Sequence, residues 1–439
     1  MTSSGLIDSG DTSFIIISTA LVFLMTPGLA LFYGGMVRKK NVLSTVMHSF
    51  IIMGVSSVLW ISVGFSLAFG TDHGGMIGSL QWVGLRGVGM EPNVDYSGTI
   101  PFLLFMAFQM MFTLITPAII SGSIAERMRF PAFLGFIVLW LLMVYYPLAH
   151  WVWGVGGFLR EMGALDFAGG TVVHISSGVT GLVAALILGK RKGYGKEPMA
   201  PHQLPMTVLG AGLLWFGWFG FNAGSALGAN GLAVMALVTT NTSAAAGALA
   251  WTATEWIHRG KPTILGAASG AIAGLVAITP GAGFVTPMSS LVIGLIGGAI
   301  CYFSVSVLKA KLGYDDSLDA FGCHGIGGIW GALATGIFAS ASVGGTDGLL
   351  YGNAAQVGIQ AIGVVITIGL SVVATFVIMK LVSVFTPLRV TAEEEEMGLD
   401  ISQHGEQAYP DFIGSGYFPA FASVVKTVGV PAASGQPGK

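Results

Sequence analysis

The chain has 439 residues, of which 53% are hydrophobic and only 9% charged, with a mean hydropathy of +0.78. Soluble domains carry about 25% charged residues, so this composition argues against a water-soluble globular protein and for one that crosses a bilayer many times. A net charge of −2 argues against a nucleic-acid partner, because binding duplex phosphates needs a basic surface.

The start, MTSSGLIDSGDTS, is polar and lacks the basic region of a signal peptide. Apolar windows of about 20 residues then predict helices over 13–36, 43–70, 101–123, 130–149, 171–189, 204–223, 229–250, 262–279, 288–308, 320–339 and 353–385. An all-α polytopic membrane protein with eleven transmembrane helices is expected. Six connections, at 37–40, 126–129, 189–196, 258–261, 309–311 and 380–389, hold fifteen Lys or Arg, whereas the alternate connections hold only Arg86 and Arg160. By the positive-inside rule this places the amino terminus outside and the carboxyl terminus inside, which requires an odd number of crossings. The expected organisation is an extracellular start at 1–12, an eleven-helix domain at 13–388 and a cytoplasmic tail at 389–439.

Within the fifth predicted helix, GGTVVHISSGVTGLVAALI places His174 among apolar residues, with Gly178 and Gly181 four and seven positions on. The tenth, FGCHGIGGIWGALATGI, repeats that frame with His324, Gly328 and Gly331. Asp166 and Asp316 each lie eight residues before the histidine, and Asp319 lies closer to His324. Helices five and ten run in opposite directions, so this is the mark of an inverted five-helix repeat, whose halves commonly meet at a transport site. Taken singly, each Asp reads as a helix cap and a helical His as a packing residue. In a bilayer an ionisable side chain is costly, and the histidines therefore read as lining an interior path.

The remaining candidates read more plainly. Most of the 66 glycines serve close helix packing, while those following the two histidines keep the wall beside them thin. Cys301 and Cys323 read as small core residues rather than a disulfide or metal site. His48, His150 and His258 have no matching frame and read as structural. Glu126 and Glu255 read as partners of nearby Lys or Arg.

FYGGMVRKKN, SIAERMRF, AHWVWGVGG, ALDFAGGTVVHI, WFGFNAGSA, GAASGAIAGLVAITP, DAFGCHGIGGIWG and GLDISQHGEQAY together resemble the ammonium transporter (Amt/Mep/Rh) family, in particular its microbial Amt branch, from about residue 14 to 410. The resemblance implies a homotrimer with one narrow pore per subunit and no cofactor. Carried over motif by motif, it implies an outer ammonium site at Trp153, Ser225 and Phe112, with Asp166 stabilising it from behind. Phe112 and Phe221 would stack as a gate, Phe108 and Thr279 would belong to the vestibule, and His174, His324 and Trp218 would line the apolar pore. The tail segment GLDISQHGEQAYP would pack under neighbouring subunits and bear on docking of PII signal proteins at the cytoplasmic exits.

The chemistry of these residue types agrees. Aromatic faces attract a compact cation by about 0.5–2 kcal/mol, and a hydroxyl accepts one of its N–H bonds. Desolvation below that site lowers the pKa of a cationic acid, driving ammonium towards ammonia plus a proton, a route closed to potassium. A neutral histidine both donates and accepts, which suits a pair to hold ammonia or relay its proton. Without the motifs, the three Phe read as core or lipid-facing and Trp153 as a membrane-interface residue. A passive ammonia channel of Rh type and a sensor signalling through PII proteins are the alternatives within the family. A membrane enzyme is the alternative outside it, and lacks a nucleophile or metal cluster.

Overall fold

The computed structural model describes residues 7–409. Eleven helical runs correspond to the predicted segments: α1 (Ser9–Met36), α2 (Lys39–Phe69), α3 (Phe102–Ile124), α4 (130–153), α5 (Gly170–Leu188), α6 (Leu204–Gly224), α7 (Gly231–Arg259), α8 (Ile264–Ile278), α9 (Pro287–Leu312), α10 (Phe321–Phe338) and α11 (Ala355–Phe385). All but α8 are long and apolar enough to cross a membrane, and α8 has 15 residues. The fold is all-α, with one two-stranded hairpin, Asp72–His73 against Ile77–Gly78, outside the bundle among the described residues.

Local chemistry sets the ends. Asn230 caps α7 by accepting from the Ala233 N–H at 3.0 Å, and Thr263 caps α8 by accepting from Gly266 at 2.9 Å. Pro205 and Pro287 sit in the first turns of α6 and α9, where a missing N–H costs nothing. The expected ends hold to within four residues except at α7, which continues nine residues past 250. Its polar last turns find partners: Glu255 accepts from the Thr263 N–H at 3.0 Å, and His258 Nδ1 meets the Tyr302 hydroxyl at 2.7 Å. Glu255 thus braces a helix start rather than pairing with Lys or Arg, among the bonds described. Gly260, with φ +79°, closes the helix in the left-handed conformation that glycine adopts freely.

Glycine faces let the helices approach closely. A Cβ on Gly210 of α6 would lie 2.3 Å from the Phe32 N of α1, and one on Gly178 of α5 would lie 2.2 Å from the Gly325 N of α10. Side chains larger than hydrogen are excluded there.

The two halves of the chain are built alike. Both α5 and α10 begin with a π-helical turn, Gly170–Ile175 and Phe321–Gly325, and continue for 13 residues as α-helix. Asp166 accepts from the Thr171 N–H at 2.7 Å and Asp316 from the Phe321 N–H at 2.7 Å, so each carboxylate caps a residue five positions on. Gly178 faces the backbone at His324 and Gly325, and Gly328 reciprocally faces His174.

Past α11, the chain forms two short helices, Ala392–Met397 and Leu399–His404, the first started by a capping box between Thr391 and Glu394. They pack under their own chain. Leu399 N–H donates to Asn41 at 2.8 Å, Asp400 accepts from the Ser44 N–H at 2.8 Å, and Glu395 takes the Lys192 N–H and the Arg389 guanidinium at 2.6 and 2.7 Å. The tail is therefore a docked segment as far as 409, and the expected contribution of Pro410 and later residues lies outside the described residues.

Candidate functional site

Two vestibules open at opposite ends of the bundle, with two tight chambers between them. The outer cavity, about 220 Å³, is lined by Phe112, Trp153 and Ser225 together with Phe105, Gln109, Tyr96, Asp95 and Arg160. Trp153 donates its indole N–H to the Asp166 carbonyl at 3.0 Å, which fixes the plane of the ring. Ser225 caps the end of α6 and donates its hydroxyl to the Phe221 carbonyl at 2.8 Å, so its lone pairs are left to accept.

Asp166 stands behind this rim, nearly buried, and does not itself line the outer cavity. Its carboxylate accepts from the Gly169, Gly170 and Thr171 N–H groups at 2.8, 2.6 and 2.7 Å and from the Thr171 hydroxyl. Burial pushes its carboxyl up, against the pull of those four donors.

The floor is aromatic. Phe112 and Phe221 lie with ring centroids 4.5 Å apart, and Phe112 also meets the Trp153 ring at 5.9 Å. Phe221 bounds the next chamber, about 20 Å³ in volume and walled by Met25, Leu29, Ile115, Trp218, His174 and His324 among others. Such a volume holds about one water-sized particle. His174 lies 5.5 Å from Trp218, and the two histidines face each other with Nδ1 atoms 3.2 Å apart. His174 Nε2 is buried without a hydrogen-bond partner.

His324 also bounds a second chamber of about 20 Å³, with Tyr33, Cys323 and Asp319. Asp319 in turn lines an inner vestibule of about 320 Å³ with Arg191, Tyr194, Glu197 and Lys309. Asp319 forms an ion pair with Lys309 at 2.6 Å and holds φ +61°, so it is not the simple helix cap expected for it. Burial pushes its carboxyl up while Lys309 pulls it down.

The structure thus brings Trp153, Ser225, Phe112, Phe221, Trp218, His174 and His324 into one file of cavities. Two expectations are corrected. Phe108 is fully buried behind Phe112, at 5.2 Å, where Gly224 leaves room for its ring, and it does not line the vestibule. Thr279 is also fully buried, donating to the Leu275 carbonyl at 2.7 Å and accepting the Trp218 indole N–H at 2.9 Å, so it orients the chamber-lining Trp218 instead. Sequence reasoning missed Asp95, Gln109 and Tyr33, read Asp319 only as a helix cap, and singled out Arg160 only as one of two basic residues in the alternate connections. Among the described residues, no cluster of His, Cys, Asp and Glu is arranged to hold a metal.

Residues 13–409 match the model of the Ammonium Transporter Family. The chain belongs to the ammonium transporter family. It is 59% identical over 404 residues to an ammonium transporter of Bacillus subtilis (strain 168), covering 92% of this chain and 99% of that protein. The crystal structure of Candida albicans Mep2 superposes with a TM-score of 0.84 at 37% identity, covering 92% of this chain and 91% of that one. A sensor Amt protein superposes with a TM-score of 0.82 at 30% identity, covering 90% and 98%. Members of this family are transporters and not enzymes.

Proposed function

We propose that the chain carries ammonium into the cell as ammonia, with the proton removed above the pore and handed on separately. Transport of ammonium follows from the family. The finer mechanism rests chiefly on one observation, the single file in which an aromatic-walled outer cavity is closed by Phe112 and Phe221 from a tight apolar chamber holding two facing histidines.

The outer cavity recruits the cation: the Trp153 and Phe112 rings supply cation–π attraction and Ser225 an acceptor, while the buried Asp166 adds favourable charge without contact. Beneath the Phe pair, the chamber is too small for a hydrated ion, so passage requires loss of water. Dehydration disfavours the charged form, and ammonium yields its proton where potassium has none to yield.

The histidine pair then provides one donor and one acceptor. When a single proton lies between the two Nδ1 atoms, one ring carries its hydrogen there and the other ring carries its hydrogen on Nε2. The lumen therefore meets one bare Nε2 and one Nε2–H, and shifting the shared proton exchanges the two roles. That arrangement binds ammonia at either orientation and supports proton relay.

In this reading α8 completes eleven crossings, the amino terminus lies outside the cell membrane, the tail is cytoplasmic, and the subunit works in a homotrimer. The inner vestibule and docked tail offer a PII signal protein its surface, and the likeness to a sensor Amt protein favours a sensing role alongside transport.

The decisive measurement is electrical recording on a solid-supported membrane after an ammonium jump. A correctly inserted His174→Phe, His324→Phe double variant should lose the ammonium-evoked current, because the lumen stays narrow but no ring nitrogen remains. Wild-type current in that variant would return the pair to pore packing.

A further inference from the structure

An ammonium ion has N–H donors and no lone pair, so a site built for it alone has no use for donors of its own. The outer cavity nevertheless carries several. Arg160 lies in the short helix Phe158–Glu161 that follows the Trp153 turn, and its Nη1 donates to the Trp153 carbonyl at 2.6 Å. That bond holds the guanidinium beside Trp153, and the remaining N–H groups of Arg160 have no partner among the described residues. Tyr96 accepts the Val155 N–H at 2.8 Å and keeps its own O–H to give. The Gln109 amide, also on the cavity wall, is unpaired among the described residues.

Charge and size point the same way. Asp95 lines this cavity opposite in sign to Arg160, and its carboxylate accepts no hydrogen bond among the described residues. Both side chains lie near enough to the Tyr96 hydroxyl for their charges to act on it, in opposite senses. A simple cation is repelled by Arg160 and a simple anion by Asp95, whereas a ligand carrying both charges suits the two. The cavity measures about 220 Å³ against about 20 Å³ in the chamber beneath, which already holds one water-sized particle. Phe69, Val152 and Leu227 add an apolar wall that an ammonium ion cannot use.

We propose that the outer cavity is also a binding site for a free α-amino acid with an apolar side chain, whose ammonium group takes the place of the ammonium ion at Trp153, Phe112 and Ser225 while its carboxylate meets the Arg160 guanidinium. The inference rests on the reading of the outer cavity as the ammonium site. An α-amino acid carries its two charges on neighbouring atoms, which matches a guanidinium bonded to the backbone of the cation-binding Trp153. Arg160 presents a planar fork of N–H groups, the geometry that receives a carboxylate. The stacked Phe112 and Phe221 rings and the small chamber beneath bar the amino acid from passage. It therefore acts as a competitive blocker from outside, not as a second substrate.

The test measures ammonium-evoked current in proteoliposomes at neutral pH with L-valine added outside, alongside isovalerate, which lacks the amine, and isobutylamine, which lacks the carboxylate. Valine in the millimolar range should raise half-saturation for ammonium severalfold with maximal current unchanged. Isovalerate should leave it unmoved, and isobutylamine should compete less well than valine. In Arg160→Gln, the valine concentration that doubles half-saturation should rise about tenfold, the loss of one charge-assisted hydrogen bond, and R160K, which keeps the charge without the fork, should fall between. Each variant is compared with and without valine, so any shift in ammonium capture from the lost Arg160 to Trp153 bond cancels. Arg160 is exposed, and its replacement should not impede insertion. Absence of any valine effect on the wild type overturns the proposal, as does undiminished competition in R160Q, or isobutylamine matching valine, which would show that the carboxylate is not read. Trp153→Leu separates the two levels: if it raises half-saturation while valine leaves the wild type unmoved, only the amino-acid site fails, and if it does not raise half-saturation, the outer ammonium site fails too.

Discussion

At the scale of single residues, the proposed pore is defined by which polar atoms keep a free valence. Ser225 spends its proton on Phe221 and keeps its lone pairs, while His174 keeps Nε2 unpartnered in an apolar chamber. An unpaired buried nitrogen costs about 1–3 kcal/mol, a burden that ammonia on the proposed path would relieve. The indole N–H of Trp218 is paired by contrast, donating to Thr279 at 2.9 Å. Thr279→Val keeps the shape but strands the indole N–H, so it should lower stability by about 1–3 kcal/mol and slow ammonium-evoked current without changing half-saturation. Thermal unfolding in detergent and the current measurement check the two parts separately.

At the scale of elements, the contact of α5 with α10 sets the distance between the histidines. Both helices offer a glycine to the other's π-helical turn, and the 3.2 Å Nδ1 separation depends on that approach. A π-helical turn widens the local backbone spacing and is frequent at functional sites. Gly178→Ala puts a methyl group 2.2 Å from the Gly325 N. Overpacking of this kind costs about 1–3 kcal/mol, so the variant should melt earlier and lose ammonium-evoked current, whereas Gly54→Ala, with nothing within 4 Å, should do neither. Equal current in both variants would separate the helix contact from transport.

At the scale of the whole molecule, the face that carries the docked tail is knitted by buried charge. Glu126 accepts from Arg38 at 2.8 Å and Arg191 at 3.0 Å, and Arg191 grips Asp315 at 2.8 Å. Burial pushes the carboxyls of Glu126 and Asp315 up, but Arg191, with Arg38 and Arg127, outweighs it and holds both below their ordinary range. Their stabilisation is therefore complete above the unfolded carboxylate values and is lost as pH falls through the lower folded ones. Glu126→Gln leaves the Arg38 guanidinium without its anion and Arg191 with Asp315 alone, and should cost about 3–5 kcal/mol. Melting curves across the acid range should show the wild type losing stability as pH drops and the variant, already weakened, losing less. Truncation after Leu388 removes Glu395, Leu399 and Asp400 from this face while sparing the eleven helical runs. Membrane insertion should persist, the 189–196 loop should become accessible to protease, and PII inhibition should weaken. Unchanged PII inhibition would remove the tail from regulation.

Much of this was legible in the sequence because lipid and water sort residues locally. Runs of apolar residues located the helical segments, and charge asymmetry predicted how they alternate. The repeated spacing of Asp166 with His174 and Asp316 with His324 located the repeat and its capping carboxylates, since each cap acts over five residues. The π-helical turns, the burial of Phe108 and Thr279, and the role of Asp319 between two chambers were not legible, because hydropathy records a residue's preference for lipid or water and not its neighbours. The partners of Glu126 and His150 lie 65 to 88 and 78 to 82 residues away, and the expectation of local partners for Glu126 failed for that reason. The sequence by itself determined which segments can enter the bilayer and which side chains suit an ammonium path. Only the tertiary structure decided which polar atoms meet, because hydrogen bonds and ion pairs act over a few ångströms and distant segments reach that range only when the bundle packs.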